Sequence, residues 1–487
     1  MDRNSVSFYD LVGGQYGRTT AYTSYDTVTL DNVVKIVSDT IGIHNRNREA
    51  IMYLWRYYKG DQPIHYRVKR NAPRDDIVNK IVENHAYEFV QFKVSQSYGE
   101  PVQLVSLRDD EQVNKSVDVY NDYMAYVDVQ STDVRMGEYQ SAVGVGFQAV
   151  QYTGNPDKPF RIVAPNPLNT YVVYNEQTEE PILSVQTLKD DNKQIYYFCH
   201  SVNMQYKIQN GKVVDYRLHT YGDIPIVEFP NNWSRLSEIE LVIDILDGVN
   251  NIQSNRIDGV EQFVSSWVVF ENVDIDDTEF QKMKASGAIA VKTNSGVDNK
   301  ASVKLLTHEL DQNGTQTTKE DLLKNATSIL AIPDKEKQNS GGDSQGAVEL
   351  RAGWDFSKAR GKLKDTLIKK SKRKIAKIVN NVLRVSGKGL NLNPTDYDVQ
   401  INHSPTDNMV VKCQSLQYLL QCGIHPIVAI KTVQLWGDAE KVFLLSKPYL
   451  DNLWKTYEQA QQEGQVIQAQ ALLSEFNNNK TETSEEL

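Results

Sequence analysis

The positions of hydrophobic and polar residues divide the chain into long helical patterns and one region of short strands. Apolar residues with helical spacing predict helices over six segments: 30–58, 77–94, 115–141, 236–263, 318–332 and a long one that starts at 347. Between 144 and 232, short apolar runs alternate with turn signals and predict strands, with Asn210-Gly211 as a hairpin turn. Helical patterns return at 411–420, 426–436 and 438–462. This order of elements predicts an α+β fold.

Two of these helical segments are joined by a polar, glycine-rich loop at 334–346. The first segment ends before Pro333, because a proline disfavours the helical conformation of the residue that precedes it. The loop has no apolar side chain and therefore nothing to bury. We expect it to project into solvent or toward a polar ligand.

The helix that follows the loop is strongly basic, although the chain carries a formal net charge of −10. Its predicted apolar face consists of five residues at multiples of four: Leu363, Leu367, Ile375, Val379 and Leu383. Its densest group of cations comprises Lys369, Lys370, Lys372, Arg373, Lys374 and Lys377. Such a group is either a solvated helix face or a surface for a polyanion or an acidic partner, and the sequence alone does not separate the two.

Composition limits the class of protein. With 487 residues the chain is too long for a single core, so we expect several domains. The acidic balance argues against nucleic-acid binding over the whole surface and leaves room only for a local contact. Three cysteines without CxxC spacing predict reduced, buried thiols. The chain has no signal-like N-terminus and no apolar stretch of 18 residues, which predicts an intracellular protein without a membrane span.

The sequence contains no recognisable catalytic constellation. Gly341 and Gly346 have the spacing of a phosphate-binding loop, but Ala347-Val348 stands where the lysine and hydroxyl must follow. The eight histidines are scattered without ligand spacing. The clustered Asp274, Asp276 and Asp277 are better explained as turn and cap residues before a short helix. We therefore expect a protein that is not an enzyme and that needs no metal or cofactor.

A series of motifs nevertheless identifies a family. The chain reads YYxGxxPI at 57–64, NKIVxNxA at 79–86, YGxPVQL at 98–104 and IPIVEFxNN at 224–232. In this order and spacing the motifs resemble tailed-phage portal proteins, in particular the SPP1-like portals of siphophages with Gram-positive hosts. The resemblance covers roughly residues 45–450. It implies the portal fold, with a mixed α/β wing, a two-helix stem, a small α/β clip and a helical crown.

The resemblance also implies how the chain is divided. The implied segments are an N-terminal arm (1–35), the wing (36–235), stem helix 1 (236–263), the clip (264–317), stem helix 2 (318–333), the tunnel loop (334–346), the long basic helix with the return to the wing (347–400), the crown (401–475) and a disordered tail (476–487). We expect the arm to become ordered, if at all, on a partner.

From the same resemblance follow the function and its sites. The implied subunit belongs to a ring, twelve-membered in the virion, through which double-stranded DNA is packaged and ejected. The implied partners are the terminase large subunit, a head-completion adaptor, and the major capsid and scaffolding proteins. The tunnel loop would approach DNA through Lys335, Lys337, Gln338, Asn339, Ser340, Gly341, Gly342, Asp343 and Ser344. The clip would meet terminase or adaptor through Asp274, Asp276, Asp277, Glu279, Lys282 and Lys284. The cations of the basic helix would contact a neighbouring subunit, the capsid or scaffold.

Two other classes of protein remain as alternatives at this point. One is a subunit of a DNA-packaging enzyme, such as an ATPase or nuclease, against which the incomplete phosphate loop counts. The other is an adaptor unrelated to phage, in which the basic helix binds acidic proteins. The ordered motifs between 57 and 232 argue against the adaptor.

Overall fold

The computed structural model describes the main part of the chain. The described residues are 7–68, 77–108, 110–264, 267–271, 278, 281, 302–306, 312–334, 353–388, 390, 392–401, 409–433, 439 and 442–449. They fall into two compact units, Met1–His403 and Ser404–Leu487. The first unit mixes helices and sheets, which confirms the α+β class.

The helices of the first unit begin and end as follows: α1 Phe8–Val12, α2 Val33–Tyr58, α3 His85–Tyr98, α4 Glu111–Tyr126, α5 Val129–Val143, α6 Ile243–Val264, α7 Gln312–Ile329 and α8 Trp354–Val385. A short 3₁₀ turn, Pro63–Tyr66, follows α2. The second unit contains α9 Met409–Gln421, α10 Pro426–Val433 and a further helical stretch at 442–449.

The strands in the described residues form four sheets. They are β1 Ala21–Thr23, β2 Gln103–Ser106, β3 Val145–Tyr152, β4 Phe160–Val163, β5 Thr170–Asn175, β6 Pro181–Lys189, β7 Ile195–His200, β8 Met204–Gln209, β9 Lys212–Leu218, β10 Ile226–Pro230, β11 Trp267–Glu271, β12 Ser302–Leu306 and β13 Tyr397–Gln400. The largest sheet has the order β1-β5-β6-β7-β8-β9, and the others are β10-β3-β4, β11-β12 and β13-β2. The pair β1–β5 is parallel, whereas the other strand pairs are antiparallel.

Two hydrophobic clusters hold the first unit together. The larger one joins α2 to α5, the β10-β3-β4 sheet and the apolar face of α8. The smaller one lies between the start of α2, at Val33 and Ile36, and the inner face of the six-stranded sheet at Val173 and Leu183. Since α2 contributes to both clusters, this one helix fixes the large sheet to the helical layer.

The sequence predicts an arm at 1–35 that becomes ordered, if at all, on a partner, and the described residues 7–35 make several contacts with the rest of the first unit. Phe8 is buried against Tyr53, and Ala21 pairs with Val173 in the large sheet. Arg18 forms a buried ion pair with Glu240. The segment lacks a periodic apolar pattern because a few isolated side chains anchor it through contacts that are distant in sequence.

Several helix boundaries also differ from the predicted ones. The predicted helix 77–94 is not helical over 77–84 and begins only at His85. The segment 115–141 is two helices, because Asp128 takes a left-handed conformation (φ 57°) between α4 and α5. The helix expected at 236 begins at Ile243, since Ser237 and Glu240 close a turn in which the Ser237 amide donates to Glu240 at 2.6 Å. The helix expected at 318 begins earlier, at Gln312.

The hairpin turn was predicted correctly. Asn210 and Gly211 join β8 to β9, and both have positive φ (53° and 72°), as the tight turn between antiparallel strands requires. On α8, four of the five residues of the predicted apolar face are buried, but Leu363 is 72% exposed. Among the described residues, Leu363 therefore projects from α8 into solvent.

Candidate functional site

The two helices assigned to a stem lie side by side and run in opposite directions. Arg256 on α6 donates to Gln316 on α7 at 2.6 Å, and Lys319 on α7 donates to Gln253 at 3.3 Å. Farther along, the side chain of Leu322 approaches Gly248. Along this series of contacts the residue numbers decrease on α6 and increase on α7, so the two helices are antiparallel.

An extended segment, 79–83, runs along α6 and forms a ladder of hydrogen bonds with its side chains. The amide of Asn79 donates to Asp258 at 2.7 Å. The amide of Ile81 donates to Ser254 at 3.0 Å, and that of Glu83 donates to Asn250 at 2.8 Å. We call the segment 79–83 the strap.

The ladder forms because the spacing of alternate residues along the strap is close to the spacing of every fourth residue along α6. Alternate residues of an extended chain are about 6.6 Å apart, and residues four apart on a helix are about 6.0 Å apart along the axis. Every second amide of the strap therefore meets every fourth side chain of α6. Asn250, Ser254 and Asp258 are all buried, so their polar groups depend on these partners.

The strap is also tied to the elements on either side of it. Glu83 forms an ion pair with Lys319 on α7. Asn84, the next residue, donates to the carbonyl of Tyr58 at the end of α2 at 2.9 Å. Gln62 connects the same region to α6, because it accepts a hydrogen bond from Asn250. Thus α2, α6 and α7 are joined through one short segment.

A buried carboxylate lies on the same helix. The hydroxyl of Tyr57 donates to Asp247 at 2.8 Å. Burial raises the pKa of Asp247 to about 6, and the nearby Asp244 carboxylate adds to the increase, although the hydrogen bond from Tyr57 opposes it. Asp247 is therefore a group of α6 that titrates close to neutral pH.

The basic helix buries two of its lysines. Lys372 forms an ion pair with Asp133 of α5 and donates to Gln148 of β3 at 3.2 Å. Lys364 donates to Ser141 at 2.9 Å. Burial lowers the pKa of Lys364 to about 8, while the Glu238 carboxylate opposes that change. These two lysines contribute to the interior, so the exposed basic surface is smaller than the sequence suggests.

Most other cations of the predicted partner-binding surface have acidic neighbours in the same chain. Lys369 and Arg373 both contact Asp398, at 3.6 and 2.6 Å. Lys374 pairs with Glu180 at 3.0 Å, and Lys377 pairs with Asp223 at 2.7 Å. The six cations therefore lie close together as predicted, but five of them already have a carboxylate partner.

Lys370 differs from these neighbours. Its ammonium group lies 5.4 Å from the centre of the Trp233 indole ring, a cation–π arrangement. Trp233 is 72% exposed. Within the part of the chain that the structure describes, no carboxylate forms an ion pair with Lys370. Neither Trp233 nor its contact with α8 was predicted from the sequence.

The turn that carries Trp233 is held firmly. Arg235 donates to Glu228 at 2.6 Å and to Thr20 at 2.6 Å. Asn232 accepts from the amide of Leu236 at 2.9 Å and donates to its carbonyl at 3.0 Å. The side chain at 233 therefore projects from a fixed support.

Two glycines allow the backbone of this turn to pack closely against neighbouring segments. A methyl group on Gly144 would lie 2.1 Å from the carbonyl oxygen of Arg235, and one on Gly17 would lie 2.3 Å from that of Ser234. Both glycines have positive φ (89° and 81°). The backbone of the turn is thus clamped between the segments that contain Gly17 and Gly144. A larger residue at either position would prevent this close approach.

Beside Trp233 is a cavity of about 200 Å³. Its apolar lining includes Tyr22, Tyr174 and Leu367, and the side chains of Lys370 and Lys374 also line the cavity. The lining also includes the Arg235–Glu228 ion pair. The cavity therefore combines aromatic surface with charged groups.

The other predicted sites lie largely outside the described residues. This holds for the whole loop from Lys335 to Ser344 and for the clip residues Asp274, Asp276, Asp277, Glu279, Lys282 and Lys284. Within the predicted clip, 264–317, the described residues include the antiparallel pair of β11 and β12, in which Trp267 lies opposite Leu306, and the start of α7. Both strands lie within the segment that the resemblance assigns to the clip.

Among the described residues, no cluster of three His, Cys, Asp or Glu side chains is placed to bind a metal ion. No helix in the described ranges has the length and apolar character that a bilayer span needs. Cys199 is buried as expected, but Cys413 and Cys422 are exposed, which corrects the prediction of three buried thiols.

Comparison with known proteins identifies a family and a similar solved structure. The family model described as "Phage portal protein, SPP1 Gp6-like" matches residues 38–411, which run from within α2 to the start of α9. A chain of the solved structure "Virion of native gene transfer agent (GTA) particle" resembles this one with a TM-score of 0.44 and 9% identity, over 79% of this chain and 93% of that chain. No curated protein sequence matches.

Proposed function

The chain belongs to the phage portal protein family, and from this premise we propose that it forms a closed ring of twelve subunits at one capsid vertex, a channel for double-stranded DNA. The family match over 38–411 carries the proposal. A structural subunit of the virion is the function of this family. Ring closure requires a head-to-tail interface, in which each copy presents two different surfaces to its neighbours.

The segments take their roles from this assignment. The antiparallel pair α6–α7 is the stem beside the channel, and the loop at 334–346 faces DNA. The β11–β12 pair belongs to the clip, which meets the terminase large subunit during packaging and the head-completion adaptor afterwards. The second unit, from Ser404, forms the crown. The firm attachment of α6 through the strap supports a stem that keeps its position while DNA moves past it.

Charge supports a channel through which DNA slides. Binding to DNA strengthens steeply with the number of phosphates that a protein neutralises. The chain is acidic overall, and its loop offers only Lys335 and Lys337 beside polar residues. Two lysines per subunit guide the DNA backbone without holding it.

Three cations of α8, Lys369, Arg373 and Lys377, contact capsid or scaffolding protein in this proposal. They are available only after competition with their acidic partners in the same chain. Such contacts are therefore weak and salt-dependent. Loss of scaffolding protein from procapsids in which Arg373 and Lys377 are changed to Glu would support this role.

Electron microscopy of the purified protein, with particle mass measured in parallel, tests the ring. Rings with a central hole and the mass of about a dozen chains are expected. A protein that stays monomeric over a wide range of concentration and salt would contradict the proposal. Nucleotide hydrolysis by the pure protein would instead favour an enzyme of DNA packaging.

A double variant tests the loop. Lys335→Glu with Lys337→Glu is expected to leave rings assembled and to impair DNA packaging, because the added negative charge repels phosphate. The matched control is Lys189→Glu with Lys212→Glu, which makes the same change of charge on exposed residues of the large sheet. Normal packaging by the loop variant would overturn the assignment of a DNA contact.

A further inference from the structure

Trp233 is presented to solvent in a way that folding of the subunit does not explain. Its turn is fixed by the hydrogen bonds of Arg235 and Asn232 and is clamped between Gly17 and Gly144. The indole nevertheless remains 72% exposed. A large aromatic side chain on a rigid support loses little entropy when it binds a partner, and tryptophan is enriched among the residues that dominate binding energy.

The surroundings of Trp233 complete a surface of the kind found at interfaces. Lys370 lies over the indole ring at 5.4 Å. Leu363 is two helical turns away on the same face of α8 and is 72% exposed. An exposed aromatic, an exposed leucine and a lysine without a carboxylate partner in the described chain are thus grouped on one side of α8. We call Trp233, Leu363 and Lys370 the tryptophan surface.

The cavity beside it has room for one large side chain. Its volume is about 200 Å³, and a cavity of about 150 Å³ already accepts a benzene ring. Tyr22, Tyr174 and Leu367 offer apolar contact to such a group. Pockets of this kind, flanked by an anchor residue, are typical of the centre of a protein interface.

Charge indicates which partner fits. The chain has 53 basic and 63 acidic residues, and α8 concentrates many of the basic ones. The rest of the surface therefore carries an excess of acid. A second copy that approaches head to tail brings this acidic surface toward Lys370 and toward Lys362, another exposed lysine without an ion pair in the described chain.

We propose that the tryptophan surface and its cavity form one side of the contact between adjacent subunits of the ring. The adjacent copy inserts a large apolar side chain into the cavity and places carboxylates near Lys370. This inference rests on the proposed ring, since it assigns residues to the head-to-tail contact that a ring requires.

Crosslinking in the assembled protein tests the contact directly. Trp233 is replaced by the photoreactive residue p-benzoylphenylalanine, and the irradiated rings are analysed by mass spectrometry of crosslinked peptides. Crosslinks between two copies of the chain are expected. The same replacement at Tyr216, an exposed aromatic on β9, is the control for crosslinking by exposure alone.

Two results would overturn the inference while leaving the proposed ring intact. One is a ring in which residue 233 forms no crosslink between copies. The other is a procapsid in which residue 233 crosslinks to the capsid or scaffolding protein instead. Failure of the unmodified protein to form rings would, by contrast, overturn the proposed function itself.

Substitutions supply an independent readout. Trp233→Ala and Lys370→Glu are each expected to raise the protein concentration at which rings dissociate by roughly tenfold or more. Tyr216→Ala and Lys212→Glu are the matched controls, and neither is expected to change that concentration. Dissociation is followed by light scattering on dilution, with circular dichroism to verify that the subunits stay folded. Rings of Lys370→Glu that dissociate like the unmodified protein would contradict the inference, whatever happens to the folding of Trp233→Ala.

Discussion

Lys372 on α8 and Asp133 on α5 form an ion pair in the interior, with side chains that are only 5% and 4% exposed. The two residues are 239 positions apart in the sequence. Gln148 on β3 also donates to Asp133, so the carboxylate serves two donors. Because a buried charge is costly without its partner, this network fixes α8 against α5 and β3.

Removal of Lys372 alone should therefore destabilise the protein strongly. Lys372→Met leaves the Asp133 carboxylate buried without its counter-charge, and we expect the free energy of unfolding to fall by about 3–5 kcal/mol. The double variant Lys372→Met with Asp133→Leu should recover most of that loss, since it leaves no uncompensated charge. Chemical denaturation of the three proteins measures both effects.

The exposed neighbour Arg373 provides the control for this prediction. Its ion pair with Asp398 is half-exposed, so Arg373→Met should cost at most about 1 kcal/mol. Equal losses for Lys372→Met and Arg373→Met would show that burial of the first pair does not decide its contribution.

The parts of the fold that local signals determine were predictable from the sequence. The helix expected at 30–58 is Val33–Tyr58, and the Asn210-Gly211 turn joins the expected strands. In both cases the structure is determined by residues only a few positions apart in the sequence, either a periodic apolar pattern or a turn dipeptide. The same local reasoning placed the six cations of α8 on one helix but not the acids that pair with them.

The parts that depend on distant partners were not predictable. The apolar residues at 77, 78, 81 and 82 have helical spacing, yet the strap and the two residues before it are not helical. The amides of the strap bond to α6 instead. The available signal was on the partner helix, where Asn250, Ser254 and Asp258 repeat every four residues. Nothing in the sequence indicated that Trp233 is exposed, because its position follows from the glycines that clamp its turn.

The strap offers a prediction about local stability. Ser254→Ala removes the acceptor for the amide of Ile81 and should cost about 1–3 kcal/mol, because a buried donor is left unpaired. Hydrogen exchange in peptides that cover 77–84 should become faster. Mass spectrometry of the assembled protein measures this exchange.

Asn251→Ala is the matched control for the strap, since Asn251 is an exposed residue of α6 that, among the described residues, forms no hydrogen bond with 79–83. It should leave the exchange of 77–84 unchanged. If Ser254→Ala also leaves that exchange unchanged, the ladder does not hold the strap in place.

Asp247 predicts how stability depends on pH. Its pKa in the folded protein is about 6, above the ordinary value of 3.8, so the folded state binds this proton more tightly than the unfolded state. The contribution of this group to stability therefore increases as the pH falls from above 6 to below 4. Asp247→Asn does not titrate and should be more stable than the unmodified protein at pH 8, by on the order of 2 kcal/mol. The advantage should shrink toward zero near pH 4.

Thermal unfolding of both proteins between pH 4 and pH 8 measures this difference. Asp244, the neighbouring carboxylate, has an additional effect on Asp247, and Asp244→Asn should lower the midpoint of the pH dependence slightly. A difference between Asp247→Asn and the unmodified protein that stays constant over the whole range would contradict the assignment.

The clamp around the turn of Trp233 predicts unequal effects of two glycine substitutions. Gly144 and Gly154 both have positive φ (89° and 74°), so alanine strains the backbone at either position. Only at Gly144 would the added methyl group also collide with the carbonyl of Arg235, 2.1 Å away, whereas Gly154 has open space. Gly144→Ala should therefore lower the free energy of unfolding by about 1–3 kcal/mol more than Gly154→Ala. Chemical denaturation of the two variants measures this difference. Equal decreases in the free energy of unfolding would mean that the turn can move to accommodate the methyl group and does not hold Trp233 in a fixed position.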